Sequence, residues 1–107
     1  MGELDDLQKA VANFRDMRDW LQFHTPKNLA QALSSEVGEL NDLYLWDREP
    51  DPEAVKEEMA DILIYLLSMA DVLKIDLEDV VIFKLRVNQS KYPVLIFKGN
   101  CDKATSK

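Results

Sequence analysis

The sequence has little cysteine, glycine or proline, and it lacks a long apolar run. Its single cysteine, Cys101, excludes an internal disulfide framework and suits a reducing compartment. The longest apolar run, residues 62–67 with a short extension, is bracketed by Asp61 and Asp71. It falls far short of the roughly 20 residues that a membrane-spanning helix needs, and the N-terminus runs directly into an acidic, amphipathic segment. We therefore expect a cytoplasmic protein without a signal peptide or a membrane partner.

Basic residues are also in the minority. The 107 residues include 13 Lys and Arg against 20 Asp and Glu, which gives a net charge of −7. Phosphate backbones are bound by clustered Lys and Arg, so nucleic acid is not expected as a partner, whereas cations are. Only 3 glycines and 4 prolines, with abundant Leu, Ala, Glu, Asp and Lys, favour a helical protein. A chain of this length forms one domain with a modest core, which oligomerisation would help to stabilise.

Apolar residues recur at three- and four-residue steps, which predicts an all-α chain of four helices. Thr25 and Asp51 each precede a proline, the pattern of an N-cap followed by proline at the first helical position. Residues 94–97 form a short apolar extension, and the predicted single domain covers residues 1–98, followed by a polar, mobile tail over 99–107. The predicted helices cover about 3–23, 26–46, 52–73 and 77–92.

Two pairs of acidic residues are predicted to lie at the same depth in a helix hairpin. Glu36 and Glu39 are three residues apart, as are Glu58 and Asp61, so each pair occupies one helix face. A tight turn centred near residues 49–50 makes the second and third helices an antiparallel hairpin. Glu39 lies about ten residues before that centre and Glu58 about nine after it, so at ~1.5 Å per residue the pairs are level to within about half a turn.

Four carboxylates at one depth suggest a site for a hard divalent cation. Facing carboxylates repel, and some take up protons unless a cation neutralises them. Ligation by oxygen alone suits Mg²⁺, with Mn²⁺ as a substitute. The alternative is that the acids lie on solvated helix faces with salt bridges to Lys or Arg. A di-iron site needs Glu-x-x-His pairs, and the only histidine, His24, lies outside both pairs.

The order of these motifs resembles the MazG-like group of all-α nucleoside triphosphate pyrophosphatases. Glu36-Val-Gly-Glu39, followed by Glu58-Met-Ala-Asp61, matches that group's signature of E-x-x-E, a spacer and E-x-x-D. Other segments resemble the dCTP pyrophosphatase branch, and the resemblance extends over roughly residues 7–93. These segments cover residues 18–29, 43–46 and 84–93.

The resemblance implies Mg²⁺-dependent hydrolysis of a nucleoside triphosphate to the monophosphate and pyrophosphate in nucleotide-pool sanitation, with dCTP or a modified dCTP favoured. Glu36, Glu39, Glu58 and Asp61 would be the metal ligands. Either Glu36 or Glu39 would orient or deprotonate the attacking water. Members of the group form dimers that often pair into tetramers, with pockets built from more than one chain, so a homodimer or homotetramer is implied here.

The resemblance also implies a nucleotide pocket. Trp20 and Trp46 would stack on the base, and His24 would stack on it or hydrogen-bond to it. Lys84 and Asn88 would contribute polar contacts from the fourth helix. From the residues alone, the tryptophans suit closure of the core, and Lys84 suits a side chain that reaches from an apolar face to water. Further candidates near the sugar or phosphates are Tyr65, Lys91 and Tyr92.

The chain departs from the dCTP-selective branch in the spacer between its acidic pairs. Residues 47–52 are shorter than the loop that those relatives often carry, and this loop lies beside the implied base pocket. A second function of another class also stays open. A non-catalytic helical module for oligomerisation or regulation would bind nucleotide or metal without turnover.

Overall fold

A computed structural model describes residues 2–46 and 49–99 as helices and short connections, with no strand in those ranges. The all-helical prediction is therefore confirmed for the described chain. The chain divides into two compact units, which meet in sequence between Asp76 and Leu77. Of the predicted tail, only Gly99 lies among the described residues. The helices are α1 (Glu3–Met17), α2 (Pro26–Asp42), α3 (Pro52–Leu73), α4 (Leu77–Lys91) and α5 (Val94–Phe97).

The first helix ends at Met17, so its predicted continuation to residue 23 is wrong. The backbone N–H groups of Arg18 and Trp20 both donate to the carbonyl oxygen of Arg15, at 3.2 and 3.1 Å. Between them Asp19 has a φ of 54°, in the left-handed region that aspartate tolerates better than most residues. The chain reverses there and continues as a short 3₁₀ turn over Leu21–Phe23.

Both predicted proline-led helix starts are confirmed. The Thr25 hydroxyl accepts a hydrogen bond from the backbone N–H of Asn28 at 3.1 Å. The Asn28 side-chain amide in turn donates to the carbonyl oxygen of Phe23 at 3.1 Å, which ties α2 to the preceding turn. At the start of α3 the Asp51 carboxylate accepts from the backbone N–H of Glu53, also at 3.1 Å. These bonds satisfy backbone donors that a helix end leaves unpaired.

The core of the first unit is built on α3, which packs against both α1 and α2. Its most buried apolar residues are Leu29 of α2 and Leu67 and Ala70 of α3. An ion pair also links α1 to α3, since the Arg15 guanidinium donates to the Asp71 carboxylate at 2.7 Å. This packing holds the two acidic helices at a fixed register.

Much of the apolar surface stays open to solvent. On α3, Leu63 and Leu66 are each 38% exposed. In the second unit, α4 exposes a continuous apolar run over residues 80–83, although its first turn carries Glu78 and Asp79 and its last turn carries Lys91. Within the described ranges, the length and composition of the helices leave none that could cross a membrane.

The cap of α2 gives the first testable prediction. Replacing Thr25 by alanine removes the oxygen that accepts from Asn28 and should lower the free energy of unfolding by about 1 kcal/mol. Thr25→Ser keeps the oxygen and is the matched control, with an expected change of only a few tenths of a kcal/mol. Urea denaturation followed by circular dichroism measures both, and equal losses in the two variants would contradict the cap.

Candidate active site

Three of the four predicted carboxylates converge between α2 and α3. Glu36 projects from α2, and Glu58 and Asp61 project from α3, one helical turn apart. One oxygen from each of the three lies within 4.8 Å of the others. The fourth, Glu39, is one turn after Glu36 on α2 and is exposed, outside this group of three.

Two oxygens of this carboxylate group are buried without a hydrogen-bond partner among the described residues. They are Oε2 of Glu36 and Oε2 of Glu58. The ion pairs found in the described part of the chain involve other residues, so the alternative of surface salt bridges does not account for these acids. A buried, unpaired carboxylate oxygen is costly. The arrangement has the composition of an oxygen-only cation site.

The electrostatics of the group follow from its like charges. The pKa of Glu36 is raised, first because the neighbouring Glu58 carboxyl can share a proton with it, then by burial and by the charges of Glu58 and Asp61. The pKa of Glu39 is raised by the same kind of proton sharing with Glu36 and by the charge of that neighbour. A divalent cation would neutralise the charges that cause both shifts.

A pocket of about 280 Å³ lies beside the carboxylates in the first unit. It brings together three predicted site residues that are distant in sequence, Trp20, His24 and Tyr65. Asp61 lines it as well, and this residue is also a member of the carboxylate group. The pocket and the carboxylates therefore form one continuous candidate site.

The histidine in this pocket, His24, is half-buried, and one of its ring nitrogens lacks a hydrogen-bond partner among the described residues. Its backbone N–H donates to the Leu21 carbonyl at 3.0 Å, but its ring Nδ1 is buried without a partner among the described residues. Burial lowers the pKa of His24, and the nearby positive charge of Arg15 lowers it further. The ring is therefore neutral near pH 7, with one nitrogen able to donate and the other able to accept.

The tryptophan in the pocket contacts an aromatic and a basic side chain of α1 and the turn that follows it. The rings of Trp20 and Phe14 meet in a T-shaped contact, with centroids 5.8 Å apart. The Arg18 guanidinium lies 3.6 Å from the centroid of the Phe14 ring and 5.9 Å from that of Trp20. Since Trp20 is still 43% exposed, part of its ring is available to stack on a planar ligand.

The other predicted pocket residues are not brought to this site by the first unit. Trp46 lies in the turn after α2, is 73% exposed and does not line the pocket. Lys84 is exposed and Asn88 half-buried, one turn apart on α4 in the second unit. Lys91 and Tyr92 lie at the end of that helix, so a common site of these four with the first unit stays a prediction.

Sequence reasoning missed Arg15, which lines the pocket although it is charged and 6% exposed. The signal was its position on the apolar side of α1, four residues after Val11. Ser68 was also missed. This residue lines the pocket, and its hydroxyl donates to the carbonyl oxygen of Ile64 at 2.8 Å. A serine within an apolar helix carries no comparable sequence signal.

Comparisons with known proteins found a matching family and several similar proteins. The model of the MazG-like family matches residues 27–104. dCTP pyrophosphatase 1 of Bos taurus and of Mus musculus are each 42% identical to the chain, and that of Homo sapiens is 39% identical. These matches cover 95% of this chain but only 66% of the relatives, so the chain spans just under two thirds of their length.

A solved structure is similar as well. The crystal structure of a pyrophosphatase from Archaeoglobus fulgidus superposes with a TM-score of 0.76 and 41% sequence identity. The match covers 87% of this chain and 94% of that one.

The raised pKa values of Glu36 and Glu39 predict a pH-dependent response to Mg²⁺. Below the ordinary value of 4.5, both residues are protonated in the folded and unfolded states, and their repulsion costs nothing. As the pH rises, the unfolded state loses these protons first, so the cost grows and is complete above the raised values. Mg²⁺ should therefore increase the melting temperature more at about pH 7.5 than at about pH 4.5, because protonated carboxyls bind metal poorly.

Thermal denaturation with and without Mg²⁺ at both pH values measures this effect. Glu36→Gln should reduce the Mg²⁺-dependent shift at the higher pH, whereas Glu57→Gln, an equal change of charge on α3, should not. An equal shift at both pH values would contradict a cation site at these carboxylates.

Proposed function

The chain belongs to the MazG-like family, and from this premise we propose that it is an Mg²⁺-dependent nucleoside triphosphate pyrophosphatase that prefers dCTP or a modified dCTP. The reaction would add water to the triphosphate and give the nucleoside monophosphate and pyrophosphate. One observation carries the proposal. Asp61 belongs to the carboxylate group and also lines the pocket, so a cation and the nucleotide it accompanies would lie side by side. The named relatives support the choice of dCTP.

The proposed metal ligands are Glu36, Glu39, Glu58 and Asp61, with Mg²⁺ as the cofactor and Mn²⁺ as a possible substitute. Their fit is supported by a donor set of oxygen alone and by the two buried oxygens that have no other partner among the described residues. When bound, the cation would neutralise the phosphate oxygens and polarise the phosphorus under attack.

Glu36 or Glu39 is proposed to orient the attacking water and accept its proton. Glu39 is exposed and Glu36 only half-buried, so water can reach either of them. The proton lost from the water would then reside on that carboxyl while pyrophosphate leaves.

The base is proposed to lie in the 280 Å³ pocket, stacked on Trp20 and beside the neutral ring of His24. Trp46 lies outside that pocket in a single chain, and an assembly with pockets built from more than one chain would account for it. The remaining proposed substrate-binding residues are Tyr65 from the pocket and Lys84, Asn88, Lys91 and Tyr92 from the second unit.

We further propose that α2 and α3 form an antiparallel hairpin within a single domain over residues 1–98, and that the chain assembles into a homodimer or homotetramer. The hairpin is supported by the approach of Glu36 to both Glu58 and Asp61. Assembly is supported by the exposed leucines of α3 and the apolar run of α4, since a soluble monomer rarely leaves so much apolar surface open.

We also propose a cytoplasmic role in nucleotide-pool sanitation, without nucleic acid or membrane partners. The net charge of −7 and the single cysteine support this setting.

Pyrophosphate release from dCTP is the direct test of the activity. With Mg²⁺ the protein should produce dCMP and pyrophosphate, and a chelator should stop the reaction. Glu58→Gln and Asp61→Asn should each lower kcat by at least about 100-fold, since each removes a charge from the site. Glu57→Gln is the matched control, because it changes an exposed carboxylate on the same helix outside the carboxylate group.

The same assay separates the proposal from its alternatives. Failure of every common NTP and dNTP to yield pyrophosphate would exclude the proposed activity. If nucleotide still binds in calorimetry under those conditions, a regulatory module is the better description.

The mass in solution tests the assembly. Light scattering behind a size-exclusion column should give twice or four times the mass of one chain, because the open apolar faces favour self-association. The measurement is repeated over a dilution series with Mg²⁺ present. A mass of one chain at every concentration would contradict the proposed oligomer.

A further inference from the structure

Arg15 is the one buried cation in the described part of the chain, and two carboxylates fix its position. Its Nε donates to Asp16 at 2.9 Å, and its Nη1 donates to Asp71 at 2.7 Å. The first partner is its neighbour on α1, and the second comes from α3. The guanidinium is therefore held rigidly between the two helices, at the wall of the pocket that contains Trp20 and His24.

These two bonds leave part of the guanidinium unused. Arginine carries N–H donors on all three nitrogens, in a planar fork. The hydrogen bonds of Arg15 within the described residues use Nε and one N–H of Nη1, so the second N–H of Nη1 and both on Nη2 have no acceptor there. Solvent reaches Nη2, because the side-chain nitrogen and oxygen atoms that are buried without a partner in the described residues belong to His24, Glu36 and Glu58. Because Arg15 lines the pocket, a ligand with an acceptor group can take the place of that solvent.

We propose that Arg15 is a specificity-determining residue of the site, whose free donors bind the neighbouring carbonyl oxygen and ring nitrogen of a cytosine base. This inference rests on the proposed function. O2 and N3 of cytosine are adjacent acceptors, the arrangement that a guanidinium fork recognises. Uracil and thymine carry N–H at N3, which would face a donor with another donor. Arg15 thus distinguishes the pyrimidines at the ring position where they differ.

His24 is placed to complete the recognition of the same base edge. Its buried Nδ1 has no partner among the described residues and lines the same pocket as Arg15. In the tautomer protonated on Nε2, Nδ1 accepts a hydrogen bond, and the exocyclic amine of cytosine is a donor next to N3. The volume of about 280 Å³ is at the low end for ligand pockets and suits a base with a single ring.

The alternative is that Arg15 acts only as a clamp, a structural link that joins α1 to α3 through Asp71. This role has a different consequence for activity. A clamp acts on the shape of the whole pocket, so its loss lowers activity on all substrates together. A residue that hydrogen-bonds to the base changes the ratio of the activities on two nucleotides that differ only in the base. The comparison of dCTP with dUTP isolates that ratio, because the two differ only at C4 and N3 of the ring.

The experiment compares kcat/KM for dCTP and dUTP in the unaltered protein and three variants. Arg15→Gln removes the guanidinium, and Asp71→Asn breaks the link to α3 but keeps the guanidinium. The double variant Arg15→Met with Asp71→Leu replaces the pair by apolar side chains and protects the fold, since such replacements of buried ion pairs are often neutral for stability. Circular dichroism and thermal denaturation establish that each variant is folded.

Both variants without the guanidinium should lower the ratio of dCTP to dUTP activity by roughly 10- to 100-fold, the worth of one bidentate contact. Asp71→Asn should lower the melting temperature while the ratio stays close to that of the unaltered protein. An equal loss for both nucleotides in the variants without the guanidinium, or an equal change of the ratio in Asp71→Asn, would overturn the inference in favour of a clamp.

A binding measurement keeps this test independent of the proposed reaction. Calorimetry with deoxycytidine and deoxyuridine uses neither phosphates nor metal, so it reports on the base pocket alone. The unaltered protein should prefer deoxycytidine, and the double variant should lose that preference. If no nucleotide yields pyrophosphate but the preference persists, the proposed function fails and the role of Arg15 stands. Absence of a cytosine preference in both assays overturns the role of Arg15.

Discussion

The structure of the first unit depends on the packing of α2 against α3, because this contact forces Glu36 towards Glu58 and Asp61. Like charges at such distances destabilise a fold unless something neutralises them. The core that opposes this repulsion is small, with Leu29, Leu67 and Ala70 as its fully buried apolar residues. Each of the two helices also begins with a hydrogen-bonded side-chain cap. The chain thus keeps an unfavourable group of acids in a defined geometry, which is the usual mark of a binding site.

The acidic half of the site could be predicted from the sequence because its causes are local. A spacing of three residues sets the face of each pair, and the number of residues to the turn sets its depth. The same holds for the helix caps formed by Thr25 and Asp51, which are predicted from the proline that follows each of them. Glu39 marks the limit of such reasoning. Its spacing is right, yet its side chain is exposed beside the group of three, since register alone does not fix a side-chain position.

The pocket half could not be predicted in the same way. The end of α1 depends on Asp19, whose left-handed backbone turns Trp20 back onto Phe14, and no periodic pattern marks that residue. Arg15 pairs with Asp71 across 56 residues of sequence, so the burial of this charge on the apolar side of α1 depends on a partner in another helix. The resemblance to a family supplied Trp20, His24 and Tyr65 as candidates, but it did not indicate that Arg15 and Ser68 also line their pocket.

Asp61 belongs to two environments at once, with one side towards Glu36 and Glu58 and the other towards the pocket of Trp20 and His24. Two ligands that share a contact residue are thermodynamically coupled, and the coupling is reciprocal. We therefore expect a cation at the carboxylates to alter the affinity for a molecule in the pocket by the same factor as that molecule alters the affinity for the cation. Binding at the two halves of the site would then be cooperative, so the concentration of free cation would set the fraction of protein that holds a nucleotide.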